Sequence, residues 1–133
     1  MPVIHEWLIP GRVMGLRWIG DVTIEELEKL DEFLVHTMDA SQVPLIHFIS
    51  HELDLTSEPP FSAYLKARCA RHQQFGWYLI VQKQSNFAAR LIAQMAGTML
   101  RVRFRLVESE AAAWAHLRRI YPEFEAPKTQ MLP

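Results

Sequence analysis

Ile4-His5-Glu6-Trp7-Leu8-Ile9-Pro10-Gly11-Arg12-Val13-Met14-Gly15-Leu16-Arg17-Trp18, followed closely by Gly20-Asp21-Val22-Thr23-Ile24-Glu25-Glu26-Leu27, sets the course of the fold. Residues 4–9 are rich in β-formers and read as a strand. Pro10-Gly11 fits the two central positions of a type II turn, where Pro presets φ and Gly accepts φ > 0. Residues 12–18 then read as the return strand, with Val13 and Gly15 on one face and Met14, Leu16 and Trp18 on the other. The pair predicts a hairpin. Gly20-Asp21 reads as a second turn. Thr23 with Glu26 three residues on is a capping box, in which the hydroxyl takes an orphan amide and the carboxylate reaches back. The helix it opens runs to about Met38, with Ile24, Leu27, Leu30, Leu34 and Met38 as its buried stripe.

Outward from this stretch the alternation continues. Residues 45–50 read as a strand and 51–58 as a polar loop. Pro59-Pro60 suit the first turn of a second helix reaching about Gln73. Residues 77–82 read as a strand. Ser85 caps a third helix from Asn86 to about Leu100, with Phe87, Leu91, Ile92, Met95 and Met99 inward. Residues 102–107 are the last strand. Ser109 caps a fourth helix, 110–121, buried through Ala113, Trp114, Leu117 and Ile120 and stopped by Pro122. The order is β-β-α-β-α-β-α-β-α. Single helices between strands imply right-handed crossovers and a mixed, mostly parallel sheet with the first strand antiparallel.

At 133 residues the chain suits one domain, 1–124, and the aperiodic stretch 125–133 with two prolines reads as a frayed tail. Half the residues are hydrophobic and 22% are charged, the balance of a globular protein. A net charge of -1 gives no electrostatic case for nucleic acid. One cysteine, Cys69, makes no internal disulfide, which suits a reducing cytoplasm. The N-terminal residues do not read as a signal peptide, and no run reaches the ~18 apolar residues of a membrane span.

The hairpin-led order resembles the STAS domain, the fold of the SpoIIAA-like anti-anti-sigma factors. Residues Gly20 through Leu27 are similar to that family's stretch between hairpin and first helix. Val102-Arg103-Phe104-Arg105-Leu106-Val107-Glu108-Ser109-Glu110-Ala111-Ala112-Ala113-Trp114 is similar to its last strand and last helix. The resemblance covers roughly residues 4–121. It implies helices mainly on one side of the sheet and a partly open opposite face. It also implies a non-enzymatic regulatory or protein-interaction module in a bacterial cytoplasm. Anti-anti-sigma factors carry a phosphorylatable Asp-Ser pair at the start of the second helix. Here Asp54-Leu55-Thr56 is similar to the opening of that loop, but the pair is replaced by a stretch built around Pro59-Pro60. Ser57 and Ser62 are the remaining candidate phospho-acceptors, and their ordinary roles would be capping and the first helical turns.

Other candidate sites are sparse. His47, His51, Glu52 and Asp54 form a polar cluster at a strand end, without the ordered Cys or His spacing of a closed zinc site, so no metal and no cofactor are expected. There is no Gly-x-Ser-x-Gly elbow, dinucleotide fingerprint or P-loop. Cys69 reads as a packed helical residue. Arg101, Arg103 and Arg105 alternate with apolar residues and form a candidate anion patch on one strand face, near Arg118 and Arg119. One strand offers Trp77, Leu79 and Val81 against Tyr78 and Ile80, and another Leu45, His47 and Ile49 against Ile46 and Phe48; both sets are largely apolar, so either would make the open sheet face apolar and suit a homodimer or a protein partner. The alternative function is a small-molecule or lipid-anion binding module using that face or residues 51–58.

Overall fold

The computed structural model describes residues 3–83 and 87–125. β1 (Val3–Ile9) and β2 (Val13–Asp21) form the antiparallel hairpin. Gly11 takes φ 73°, and the Arg12 N–H donates to the Ile9 carbonyl at 2.9 Å. This is the turn that Pro10-Gly11 implies, since a residue without Cβ adopts that φ freely. β2 does not end at Trp18 as expected, nor turn at Gly20-Asp21. It passes through Gly20 to Asp21, and the ladder shifts register there. α1 (Ile24–Asp39) opens on the Thr23–Glu26 capping box and buries Leu27, Leu30, Leu34 and Met38. Ile24 falls outside that stripe and is exposed.

β3 (Ile46–Ser57) is twice the expected length, because residues 51–57 are strand and not loop. His51, Glu52, Asp54 and Ser57 in that half each find a partner off the strand. Arg17 Nη2 donates to Asp54 Oδ2 at 3.1 Å, and Ser57 Oγ donates to Asp21 Oδ1 at 2.7 Å. The expected second helix, in contrast, is broken. α2 (Phe61–Tyr64) is a single turn, and a 3-10 turn follows at Cys69–Arg71. Asp31 of α1 reaches across and accepts from the backbone N–H groups of Arg68 and Cys69, at 3.1 and 2.8 Å. Those amides are therefore taken by a side chain rather than by a helical ladder.

β4 (Phe75–Val81), α3 (Phe87–Leu100), β5 (Arg103–Val107) and α4 (Glu110–Ile120) complete the chain. Ser109 caps α4 as expected, accepting from the Ala112 N–H at 3.1 Å. Ser85, and all of the tail beyond 125, lie outside the described residues. The sheet order is β1-β2-β3-β4-β5, with only the β1–β2 pair antiparallel.

Period-2 alternation sends the strand side chains to two cores. α1, α2 and α3 lie over one face, where Met14, Leu16, Trp18, Ile46 and Phe48 are buried. α4 lies over the other, pressing Ala113, Trp114 and Leu117 onto Val13, Ile49, Leu79 and Val81. The helices are thus mainly on one face, but the opposite face is not open. His47, Ile49, Leu79 and Val81 have no exposure at all, and Phe124 closes over the same core. The apolar sheet surface expected to receive a partner is consumed inside the chain.

α3 is also turned relative to expectation. Ala89 and Ala96 face inward, while Phe87, Leu91, Met95 and Met99 are exposed. The helix is apolar nearly all round, so side-chain size misleads about its inner face. Close approach is what selects that face: a Cβ on Gly97 would collide with the Phe104 ring of β5. Small residues therefore sit where α3 meets the sheet.

Candidate functional site

Between the sheet and α1, α2 and α3 lies a cavity of about 120 Å³. Leu30, Leu34, Ile80, Ile92 and Ala96 make much of its wall apolar. One part of it is polar, and that part comes from consecutive same-face positions of β3. Ser50 and Glu52 continue the row begun by Ile46 and Phe48, so the strand that builds the core also carries a hydroxyl and a carboxyl into it.

The hydrogen bonds there run in one direction. Trp18 Nε1 donates to Ser50 Oγ at 2.7 Å, and the Tyr78 hydroxyl donates to the same oxygen at 3.0 Å. Ser50 in turn donates to Glu52 Oε2 at 3.3 Å, and Gln82 Nε2 donates to Glu52 Oε1 at 3.1 Å. Glu58 lies nearby and accepts from the Tyr64 hydroxyl at 2.8 Å. Burial pushes the Glu52 carboxyl up to about 7, with Gln82 pulling the other way and the Glu58 charge adding to the rise. Burial raises Glu58 as well, against its hydrogen bond from Tyr64. Tyr64 and Tyr78, desolvated beside these carboxyls, are held as protonated donors. Glu52 also lines a second, smaller cavity of about 90 Å³ with Gln82, Lys83 and Ala89.

The sequence-predicted cluster does not converge. His47 and His51 face α4, whereas Glu52 faces the cavity and Asp54 pairs with Arg17. Alternation along one strand divides them. His47 Nδ1 accepts from the Trp77 N–H at 3.0 Å, and its ring packs on Tyr121 at 4.9 Å. Burial, then the nearby Arg12 and Arg103 charges, lower its pKa to about 4. His51 Nε2 lies 2.7 Å from Glu110 Oε1, and Glu110 Oε2 accepts from Trp114 Nε1 at 3.2 Å. This buried trio ties the start of α4 to β3.

The remaining candidates disperse. Ser57 is exposed on β3 and bonded to Asp21, not capping a helix; the α2 cap position is Pro60. Ser62 is exposed in α2. Arg103 and Arg105 are exposed on edge strand β5, but Arg101 lies in the turn before it at φ 57°, off the strand's alternation. Cys69 is not mid-helix. It opens the 3-10 turn and borders the cavity, and burial raises its thiol pKa well above the ordinary value. Among the described residues, no group of three or more His, Cys, Asp or Glu is placed to hold a metal ion. Trp18, Ser50, Tyr78 and Gln82 escape motif reading because no motif contains them. Their only signal is a Ser and a Glu two apart on a strand row that is otherwise apolar.

No family model matches the sequence, and no curated protein matches it. A solved structure does. It is an uncharacterized protein of the DUF3478 family from Shewanella loihica PV-4, described as having a SpoIIAA-like fold. The likeness has a TM-score of 0.64 at 16% identity, over 86% of this chain and 91% of that one. The chain has a SpoIIAA-like fold. Both the hairpin-led order and the STAS resemblance of residues 20–27 and 102–114 agree with it. At that identity the likeness speaks for the SpoIIAA-like architecture alone. Among the described residues, no helix is long and apolar enough to cross a membrane.

Proposed function

We propose that this SpoIIAA-like domain is a non-enzymatic binding module that takes a small, largely apolar molecule between the sheet and α1 and α3. The observation that carries the reading is the cavity of about 120 Å³, apolar over most of its wall with a few polar groups, Glu52 among them. Ligand sites have this makeup, with a hydrophobic lining and a few placed polar groups. Its size is near that of the roughly 150 Å³ cavities that accept benzene, so the ligand body is about one ring. Glu52 and Glu58 come from the stretch 51–58 that the sequence marks for such a role.

Thermal unfolding of the chain with a panel of single-ring compounds tests this. A ligand at about 100 times its Kd stabilises the folded state by about 2.7 kcal/mol. The same compound should give no shift with Ala96→Leu, which fills the cavity from α3. A shift that Ala96→Leu leaves intact would place binding elsewhere.

A second reading is a regulatory protein-interaction module, cytoplasmic and homodimeric or bound to another protein. It is favoured by the exposed α3 row of Phe87, Leu91, Met95 and Met99. Light scattering tests it: a dimer that Leu91→Gln with Met95→Gln disperses supports it, and a monomer at high concentration opposes the homodimeric form.

A further inference from the structure

The cavity's chemistry narrows the class of its occupant. Its described walls bring together three acidic residues, Asp31, Glu52 and Glu58, and no Lys, Arg or His. Of the three, Asp31 alone has a cation beside it among the described residues. Asp31 accepts from two backbone amides and lies 3.6 Å from the Arg68 guanidinium, and Glu58 accepts from Tyr64. Glu52 has only neutral donors, Ser50 and Gln82.

Those donors are arranged for the ionised form. Trp18 and Tyr78 both donate to Ser50 Oγ, which commits the Ser50 proton to Glu52. Gln82 presents its amide N–H groups to the other carboxyl oxygen. An ionised Glu52 therefore accepts from two residues, one of them held in place by two more, but has no countercharge among the described residues on this side. A protonated Glu52 faces the reverse problem, because both partners of its carboxyl already donate and neither accepts its O–H. Lys83 borders the smaller cavity on the same carboxyl and is itself exposed. On the side of the larger cavity no cation faces Glu52; the other titratable groups there are Asp31, Glu58, Tyr64, Cys69 and Tyr78.

Resting on the small-molecule reading above, we propose that the occupant is a ring-sized apolar body carrying a protonated amine, with its ammonium docked on Glu52. The ammonium supplies the missing countercharge, while the aromatic rings of Trp18, Phe75, Tyr78 and Phe104 suit a cation as well as an apolar ring. A carboxylate of the same size would meet Glu52 and Glu58 with no base to receive it, and burying an unpaired anion is prohibitive. When the ammonium binds, Glu52 gives up its proton to solvent. Because burial holds that carboxyl near 7, binding is linked to pH around neutrality.

Benzylamine, benzyl alcohol and benzoate share one ring and differ in charge. Titrating the full chain with each at pH 6 and pH 8, by calorimetry or NMR, separates the possibilities. Ionisation of a group near 7 rises from about a tenth to about nine tenths across that interval, so benzylamine affinity should increase by about tenfold. Benzyl alcohol should bind without pH dependence, and benzoate should not bind. Glu52→Gln should remove the pH dependence for benzylamine while keeping benzyl alcohol binding, which also shows that the variant is folded. Glu58→Gln should retain the slope. Benzyl alcohol binding with benzylamine absent or indifferent to pH would overturn the amine proposal and leave the cavity reading standing. Silence from all three probes in the wild-type chain would overturn both.

Discussion

The two faces of this sheet are built from alternate residues of the same strands, yet they are packed for different purposes. Under α4, Val13, Ile49, Leu79 and Val81 meet Ala113, Trp114 and Leu117, and none of these seven residues has measurable exposure. Under α1 and α3, the facing rows hold a space of about 120 Å³ and a chain of hydrogen bonds ending on one carboxyl. The polar groups differ in the same sense. On the α4 side His51 and Glu110 satisfy each other within the core. On the α1–α3 side Glu52 has no partner of opposite charge among the described residues. One face holds the fold together, and the other holds room for something else. The exterior differs too, since α4 spends Trp114 and Leu117 on the sheet while α3 turns Phe87, Leu91, Met95 and Met99 outward.

Substitutions can break this contrast. The largest effect belongs to Trp114→Ala on the filled face, which should cost about 3–5 kcal/mol in denaturant unfolding because the neighbours cannot collapse into the space. A loss below about 1 kcal/mol would mean that α4 is not the structural cover it looks to be.

Next come two opposite pH effects, one per face. The Glu52 carboxyl titrates near 7 when folded against 4.5 ordinarily, so the folded state holds its proton more tightly. Its contribution is fully present below pH 4.5 and is lost as pH rises through 7, by on the order of 3 kcal/mol. Glu52→Gln should therefore gain stability relative to wild type over that window and keep the gain above it. His47 behaves in reverse. Its pKa falls from 6.5 to about 4, so the unfolded state binds the proton more readily and stability falls as pH drops from 6.5 towards 4. The two windows overlap and oppose each other, so wild type should be nearly flat between pH 4.5 and 6.5. His47→Gln, which retains an acceptor for the Trp77 N–H, should unmask a fall in stability as pH rises from 4.5 to 7, and Glu52→Gln a fall as pH drops from 6.5 towards 4. Urea midpoints of wild type and both variants between pH 4 and 8 check both signs, and slopes of the reverse sign would mean that the two groups are wrongly assigned.

The smallest effect is expected from Ala96→Leu. Filling space on the α3 side should change stability by under about 1.5 kcal/mol in either direction, against the much larger loss from Trp114→Ala. A loss as large as that of Trp114→Ala would mean that the α3 face is as tightly filled as the other.

Much of this architecture was legible in the chain. Thr23 with Glu26, Pro10-Gly11 and Ser109 each act locally, through bonds within a few residues, and each appears where the sequence places it. What failed depended on distant partners. Residues 51–57 read as a loop because they are polar, and they are strand because Arg17, Asp21 and Gln82 receive them. The second helix breaks because Asp31, more than thirty residues earlier, takes its amides. The cavity was the least legible element. The hydrogen-bonded group at its polar wall joins Trp18, Glu52 and Tyr78 to Ser50 and Gln82 behind them, from three strands and the segment after one of them, and no local spacing reports that union.

Backbone NMR with benzylamine at pH 8 tests the division of labour most directly. Amide shifts should concentrate on residues that wall the cavity, such as Glu52, Tyr78, Ile80, Ala93 and Ala96, and leave Leu79, Val81, Ala113 and Trp114 nearly still. Shifts centred on the α4 side, or spread evenly over both, would contradict the assignment of binding to one face and stability to the other.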